Sequence, residues 1–370
     1  MPIWLPRLIV NSSTPMPNVR LSGRVISEKD PARQSRAHLL YLLFAGGWDI
    51  FNSNGDQAIT LSNIQKEISR SDAFVFTPGA TLEELFKAIS IFVGFQTLDS
   101  NLKGKPAVIL NSDGSWDPFF RMLDHLHELG TIKQDFHDFL LSVACPDTVL
   151  EALQRVREDG LPDPARHGVP AEVTEEIYSH ESPPIPGHVG DVCVFCSASI
   201  EDPDYIADGY EIGRQLADAG YGCISGAGKT GIMGAVVRGV VDAEGWAGGS
   251  NVPHIIDLEG LPEGLSGFWL RPDIYTRMEI MIERSDAFII FPGGAGTVQE
   301  ILALLLLKEA GDPLMEGKPI FVYNRLDRSG QRFWTPLNEL LSETCCQGAY
   351  QVVGELEDIL PALKRSIPRR

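Results

Sequence analysis

In the second half of the chain, Phe291-Pro292-Gly293-Gly294-Ala295-Gly296-Thr297-Val298-Gln299-Glu300 sets three glycines and a threonine between a short apolar strand and an apolar helix. The unpaired N–H groups of a first helical turn, together with the helix dipole, make an anion site. Glycines let the backbone come close to a phosphate. Gly293, Gly294, Gly296 and Thr297 are therefore candidate phosphate ligands. Thr297 can act as the helix N-cap or give its hydroxyl to a phosphate oxygen. Glu300 can return to the N–H of Thr297 in a capping box or face a ligand. For a Thr-x-x-Glu pair alone the capping box is the better reading. The glycines just ahead of it favour a ligand site.

Two further motifs belong with this turn. Ser225-Gly226-Ala227-Gly228-Lys229-Thr230-Gly231-Ile232-Met233-Gly234 lies where a strand gives way to a helix, the place where open parallel sheets bind ligands. Gly228, Gly231 and Met233 are its candidate contacts. Its Gly-Lys-Thr is similar to the end of a P-loop, but that motif needs a glycine where Cys223 stands. The second motif is Arg271-Pro272-Asp273-Ile274-Tyr275-Thr276-Arg277-Met278. It opens a helix near Asp273 that runs to Glu283, with an apolar stripe of Ile274, Met278, Met281 and Ile282. Arg277 falls off that stripe, where a solvated arginine is the ordinary outcome.

The elements that must position these residues alternate. Val192–Cys196, Tyr221–Ile224, Ala287–Phe291 and Pro319–Tyr323 read as strands, and Tyr205–Ala219, a segment from Gly231, and Val298–Leu307 as helices. Strands joined through helices imply parallel pairing in a doubly wound α/β sheet. The length, 370 residues, suits two domains. A proline-rich stretch over 158–188, with Pro162, Pro164, Pro170, Pro183, Pro184 and Pro186, reads as a linker between halves 1–157 and 189–370. The halves share ordered matches. Arg70-Ser71-Asp72-Ala73-Phe74 recurs as Arg284-Ser285-Asp286-Ala287-Phe288, Pro78-Gly79 as Pro292-Gly293, and Gly104-Lys105-Pro106 as Gly317-Lys318-Pro319. Asn111 and Asn324 follow at the same gap. Duplication explains this order better than shared punctuation does.

Composition narrows the partners. A formal net charge of −19 argues against nucleic acid but leaves room for a small anion at a local turn. Six cysteines are too few for a disulfide framework in a chain of this length. Cys193 and Cys196 lie in one strand and read as buried rather than as a redox pair. His125 and His127 do not share a helix face, so they do not suggest a metal site. The start, Met1-Pro-Ile-Trp, lacks a secretory pattern, and no apolar run is long enough to span a membrane. A cytoplasmic location is the expectation.

At Arg277-x-x-x-Met281, Ser285-Asp286-Ala287-Phe288 and Pro-Gly-Gly-x-Gly-Thr-x-x-Glu the chain resembles the LOG family. That family includes cytokinin riboside 5′-monophosphate phosphoribohydrolases, and many members carry a lysine decarboxylase label. The strand Val192–Ser199 and the Gly231-Ile232-Met233-Gly234 turn are also similar. Pro272-Asp273-Ile274-x-x-Arg277 is closer to the bacterial nucleotide 5′-monophosphate nucleosidases of the same superfamily. The resemblance covers about 189–325, and 65–130 in degenerate form. It implies two tandem Rossmann-like domains and hydrolysis of the N-glycosidic bond of an AMP-like nucleoside 5′-monophosphate to free base and ribose 5-phosphate. It further implies Arg277 and Glu300 as catalytic residues and Gly293, Gly294, Gly296 and Thr297 as the phosphate turn. Ser197 and Ser199, with side chains near Asn251–His254, are expected about the base. No metal or organic cofactor is needed. Plant-type members carry a His two residues before this arginine and a Lys just after it, where this chain has Tyr275 and Met278. The usual run of three glycines is broken by Ala227. A carboxylate near the ribose suits the chemistry, since the transition state is oxocarbenium-like.

The first half departs further. Pro78-Gly79-Ala80-Thr81-Leu82-Glu83-Glu84 is two residues shorter than Pro292–Glu300, and the position matching Arg277 is Asn63. Gly46-Gly47 is its nearest glycine pair and reads as a plain turn. The first half is thus a pseudo-domain, expected to pack on the second as a partner protomer packs in dimeric relatives, as a scaffold. The chain could also form homo-oligomers. The competing functional class is a non-catalytic nucleotide-binding or sensing module. Amino-acid decarboxylation fits poorly, since no lysine stands in a context for pyridoxal phosphate.

Overall fold

The strands are short apolar runs buried on both faces, such as Ala73–Phe76, Ala107–Leu110, Ala287–Ile290 and Ile320–Tyr323. Such runs pair in parallel beneath covering helices. The computed structural model describes residues 18–22, 32–52, 58–163, 177–327, 329–345 and 348–367. Of the residues singled out above, Met1–Trp4, Pro164, Pro170 and Cys346 lie outside this set.

The first half runs β1 (Asn18–Ser22), α1 (Ala32–Ala45), β2 (Asp49–Asn52), α2 (Leu61–Arg70), β3 (Ala73–Phe76), α3 (Leu82–Gln96), β4 (Ala107–Leu110), α4 (Asp117–Glu128), β5 (Leu140–Val143) and α5 (Pro146–Asp159). Its sheet has the order β2-β1-β3-β4-β5, all parallel. The second half runs β6 (His180–Glu181), β7 (Gly190–Phe195), α6 (Pro203–Asp218), β8 (Tyr221–Ser225), α7 (Gly231–Asp242), β9 (Ala247–Asn251), α8 (Pro253–Glu259), β10 (Gly267–Leu270), α9 (Ile274–Glu283), β11 (Ala287–Ile290), α10 (Ala295–Glu309), β12 (Ile320–Tyr323), α11 (Thr335–Thr344), β13 (Gln351–Val353) and α12 (Leu356–Ser366). Its sheet has the order β13-β12-β11-β7-β8-β9-β10-β6. All pairs are parallel except β6 on β10. Within the proline-rich stretch, His180–Glu181 thus forms an edge strand.

The order β2-β1-β3-β4-β5 repeats as β8-β7-β11-β12-β13, and the matched residues keep their registers. Ala73 sits opposite Val19 as Ala287 sits opposite Val192. The N–H of Phe74 donates to Pro106 C=O at 2.9 Å, and that of Phe288 to Pro319 C=O at 3.0 Å. Asn111 Oδ1 accepts the N–H of Trp116 at 3.1 Å, and Asn324 Oδ1 that of Trp334 at 2.7 Å. The second half gains α7, β9, α8 and β10, which have no counterpart between β2 and β3.

Each of three helices meets its counterpart from the other half. Ser62 on α2 donates to Glu279 on α9 at 3.1 Å. Gln299 on α10 donates to Ser90 on α3 at 3.0 Å, both buried. His125 on α4 bonds the carbonyl of Phe333 just before α11 at 3.0 Å. One continuous apolar core runs from α2, α3 and α4 into the second half, while α1 and α5 cover a separate core on the opposite face of the first sheet.

Candidate functional site

Strand order reverses at β7. The chain moves one way through β8, β9 and β10, and the other way through β11, β12 and β13. Ligands of open sheets sit beyond the strand ends at such a switch point. Here the segments leaving β7, β8 and β11 converge on a cleft of about 530 Å³. Ser197 joins them: its N–H donates to Pro292 C=O at 3.2 Å, and its C=O accepts the N–H of Met233 at 3.1 Å. Its hydroxyl oxygen accepts the N–H groups of Ser199 and Ile200 at 3.0 and 3.1 Å.

The α10 helix begins a turn earlier than the apolar pattern suggests. Gly294 takes the extended N-cap conformation, and Ala295, Gly296 and Thr297 form the first turn. Thr297 is therefore inside the helix rather than its cap, and Glu300 makes no capping box with it. The ends of that turn face the cleft: Gly294, Ala295, Gly296, Thr297 and Glu300 all line it. Gly293 does not line it. A Cβ on Gly293 would stand 2.0 Å from Thr297 Oγ1, so this glycine makes room for the threonine side chain.

Arg277 is only 8% exposed, contrary to the solvated position its place off the apolar stripe suggests. The α9 helix is packed on β9 on one side and on α2 on another, so a single stripe underestimates its buried surface. Asp273 caps the helix, its carboxylate accepting the N–H groups of Tyr275 and Thr276 at 2.9 Å each. The Arg277 guanidinium is held by backbone. Nε donates to Ser250 C=O at 2.9 Å and Nη2 to Gly226 C=O at 3.3 Å. Nη1 lies 3.6 Å from Glu300 Oε1. Buried charges need such partners.

Burial pushes the Glu300 carboxyl up to about 7, against the opposing pull of Arg277 and with a further push from Glu259. Glu259 lines the cleft at the end of α8, and burial raises its carboxyl too, again opposed by Arg277. The glycines of the first motif shape this group. A Cβ on Gly226 would stand 2.1 Å from Arg277 Nη2, and one on Gly228 would stand 2.7 Å from Glu259 Oε2. Gly231 opens α7 at φ +61°, where a Cβ would meet the Ala198 carbonyl. Ala227 holds φ +54°, a left-handed conformation that glycine takes more easily.

Among the sequence candidates, Arg277, Glu300, Gly294, Gly296, Thr297, Met233, Ser197 and Ser199 line the cleft. Gly293, Gly228 and Gly231 shape it from behind. The segment Asn251–His254 does not line it. Ile255, Leu258, Glu259 and Gly260, just beyond, do. Sequence reasoning also missed Val93, Gln96, Thr97, Thr131 and Lys133, which reach the cleft from the first half.

A family model described as possible lysine decarboxylase matches residues 52–153 and 233–357, more than half of the chain. The chain belongs to the LOG family. A rice protein (Oryza sativa subsp. japonica) named probable cytokinin riboside 5′-monophosphate phosphoribohydrolase LOG4 is 33% identical over 144 residues, which cover 37% of this LOG-family chain and 59% of that protein. The cytokinin riboside 5′-monophosphate phosphoribohydrolase of Mycobacterium tuberculosis is 31% identical over 110 residues, covering 30% of this chain and 59% of its own. The chain thus spans less than two thirds of both relatives. The Moco carrier protein from Chlamydomonas reinhardtii superposes with a TM-score of 0.38 at 17% identity, over 48% of this chain and 98% of that one. Tyr275, where plant-type LOG members carry His, is buried and packs edge-on against Phe86 of the first half, ring centroids 6.3 Å apart. Among the described residues no helix is long and apolar enough to cross a membrane.

Proposed function

We propose that this chain is a phosphoribohydrolase that splits a nucleoside 5′-monophosphate into free base and ribose 5-phosphate. The observation that carries the reading is the buried Arg277–Glu300 pair, 3.6 Å apart, in a cleft that also receives the first turn of α10. The N–H groups of Ala295, Gly296 and Thr297 and the Thr297 hydroxyl would take the phosphate. With the phosphate there, Glu300, one turn further along α10, lies beside the ribose.

As the C1′–N bond breaks, positive charge grows on the ribose ring, and the Glu300 carboxylate stabilises it in a site of low dielectric. Water adds its oxygen to C1′ and gives up a proton, and the departing base takes one up. Arg277 orients Glu300 and has N–H groups left for a ribose oxygen. The relatives' names point to cytokinin riboside monophosphates. The site itself supports the broader nucleotide class.

The first half, on this reading, takes the place of a second protomer. Counterpart helices facing each other is what a two-fold relation demands, and the family model matches in both halves.

The test is incubation with a panel of nucleoside monophosphates and their nucleosides, following free base by chromatography. Release from at least one monophosphate, and not from its nucleoside, is expected. Equal rates on AMP and adenosine would sink the phosphate-dependent reading. Nucleotide binding without turnover would instead favour a sensing module.

A further inference from the structure

The phosphate turn is not walled by its own half alone. After α4 the chain turns through Leu129-Gly130-Thr131-Ile132-Lys133 and lies against Gly294: a Cβ there would stand 2.8 Å from the Thr131 carbonyl oxygen. This loop is firmly tied. The N–H groups of Thr131 and Ile132 both donate to Leu126 C=O, at 3.0 and 3.1 Å, as does the Thr131 hydroxyl at 3.0 Å. His127 Nδ1 bonds Ile132 C=O at 2.9 Å, and Ile132 is buried. The next residue, Lys133, is exposed and lines the same cleft as Gly294–Thr297.

The charges in the cleft make this position matter. Its carboxylates are Glu201, Glu259 and Glu300, and its cations are Arg277, Lys229 and Lys133. Arg277 is engaged by Glu300 and two backbone carbonyls. The turn itself offers only neutral donors to a phosphate that carries up to two negative charges, in a chain whose net charge is −19. An adjacent ammonium removes that imbalance and forms charge-assisted hydrogen bonds. Lys229 is the competing cation; it lines the cleft just ahead of α7, whereas Lys133 follows two residues after the Thr131 carbonyl that abuts Gly294.

We infer that Lys133, carried by the catalytically degenerate half, is the side-chain cation that binds the substrate's 5′-phosphate at the Gly294–Thr297 turn. The pseudo-domain then completes the active site rather than only supporting it. The inference deepens the phosphoribohydrolase reading and rests on it for the identity of the substrate.

The test compares full-length wild type, Lys133→Met, Lys133→Arg and Lys229→Met. Each is assayed for kcat and KM on a hydrolysed nucleoside monophosphate, and titrated calorimetrically with AMP and with inorganic phosphate. Thermal melts check folding. A charged hydrogen bond of this kind predicts that Lys133→Met raises KM and weakens both ligands about tenfold or more, with kcat within about twofold. Lys133→Arg should recover most of the loss. Unchanged affinity in Lys133→Met, or a loss confined to Lys229→Met, would overturn the inference. Wild type that binds AMP and phosphate through Lys133 without releasing base would leave the inference standing and remove the hydrolase reading. Wild type that binds neither ligand would remove both.

Discussion

The Glu84 carboxylate accepts the backbone N–H of Thr81 at 3.0 Å in a capping box at the start of α3, whereas that of Glu300, its match in the second half, lies 3.6 Å from the Arg277 guanidinium. The same residue type thus serves as a helix cap in one half and as a buried charge partner in the other. The two extra residues of the Pro-Gly-Gly turn account for the difference. They extend α10 by a first turn, so Glu300 stands too far along the helix to reach back to the cap. Glu84→Gln is expected to leave turnover within about twofold and to cost about 1 kcal/mol or less of stability, as a weakened cap does. Glu300→Gln should keep AMP binding and lose at least about a hundredfold in kcat, the scale on which a transition-state charge partner acts. Steady-state kinetics beside thermal melts of the two variants separates the roles. An active Glu300→Gln enzyme would reduce this residue to a structural one.

Titration of Glu300 sets a pH dependence. Its carboxyl is raised to about 7 by burial first, with Arg277 pulling down and Glu259 pushing up. If the ionised form is the working form, kcat/KM should rise with pH through a midpoint near 7. Glu259→Gln removes a neighbouring negative charge and should move that midpoint down. Arg277→Met removes a positive one and should move it up, with much lower activity throughout. A profile unmoved by Glu259→Gln would show that the two carboxyls do not interact.

The same shift makes a stability prediction of definite sign. Between the ordinary carboxyl value of 4.5 and about 7, the folded chain keeps a proton on Glu300 that the unfolded chain has released. Folded protein binds more protons there, so the contribution of this group to stability falls as pH rises across that window. Glu300→Gln should melt with a flatter pH dependence from about 4.5 to 7 than wild type, as followed by circular dichroism.

Gly226 offers a test that removes no charged group. An added Cβ would stand 2.1 Å from Arg277 Nη2 and 3.0 Å from the Met233 methyl. Both are ends of flexible side chains, so the fold should survive Gly226→Ala. The guanidinium must move, however, and its bond to the Gly226 carbonyl and its approach to Glu300 move with it. Activity should fall about tenfold or more while the melting temperature drops only a few degrees, because misplaced catalytic groups are costly even at small displacements. Wild-type kinetics in this variant would mean that the observed Arg277 position is not the productive one.

Much of the architecture was legible because the repeats mark strand ends. Ala73 and Ala287 begin equivalent strands, and Asn111 and Asn324 tie each sheet to a following tryptophan by the same hydrogen bond. Glu259 was not legible, because the strand that leads to its helix, Ala-Gly-Gly-Ser-Asn, has none of the β-branched or aromatic residues that signal a strand. Burial between β8 and β10 holds it extended instead. A related reason hides the true start of α10, since Gly296 and Thr297 are weak helix formers. Cleft contacts from Gln96, Thr97 and Lys133 depend on how the two halves pack, which no local pattern encodes.

That packing gives a prediction in which two core truncations differ in function. Phe86 on α3 is fully buried, and its ring meets Tyr275, two residues before Arg277. Leu153 on α5 is equally buried but belongs to the separate core on the far face of the first sheet. Truncating either to Ala should cost about 2–5 kcal/mol, so both proteins should melt earlier. Only the Phe86→Ala cavity lies against the helix that carries Arg277. At a temperature where both variants remain folded, Phe86→Ala should lower kcat/KM several-fold and Leu153→Ala should leave it unchanged. Such a split is expected if the first half sits where a second protomer would and supports α9 from that side. Equal kinetics in the two variants would show that the interface between the halves holds the chain together without bearing on the placement of Arg277.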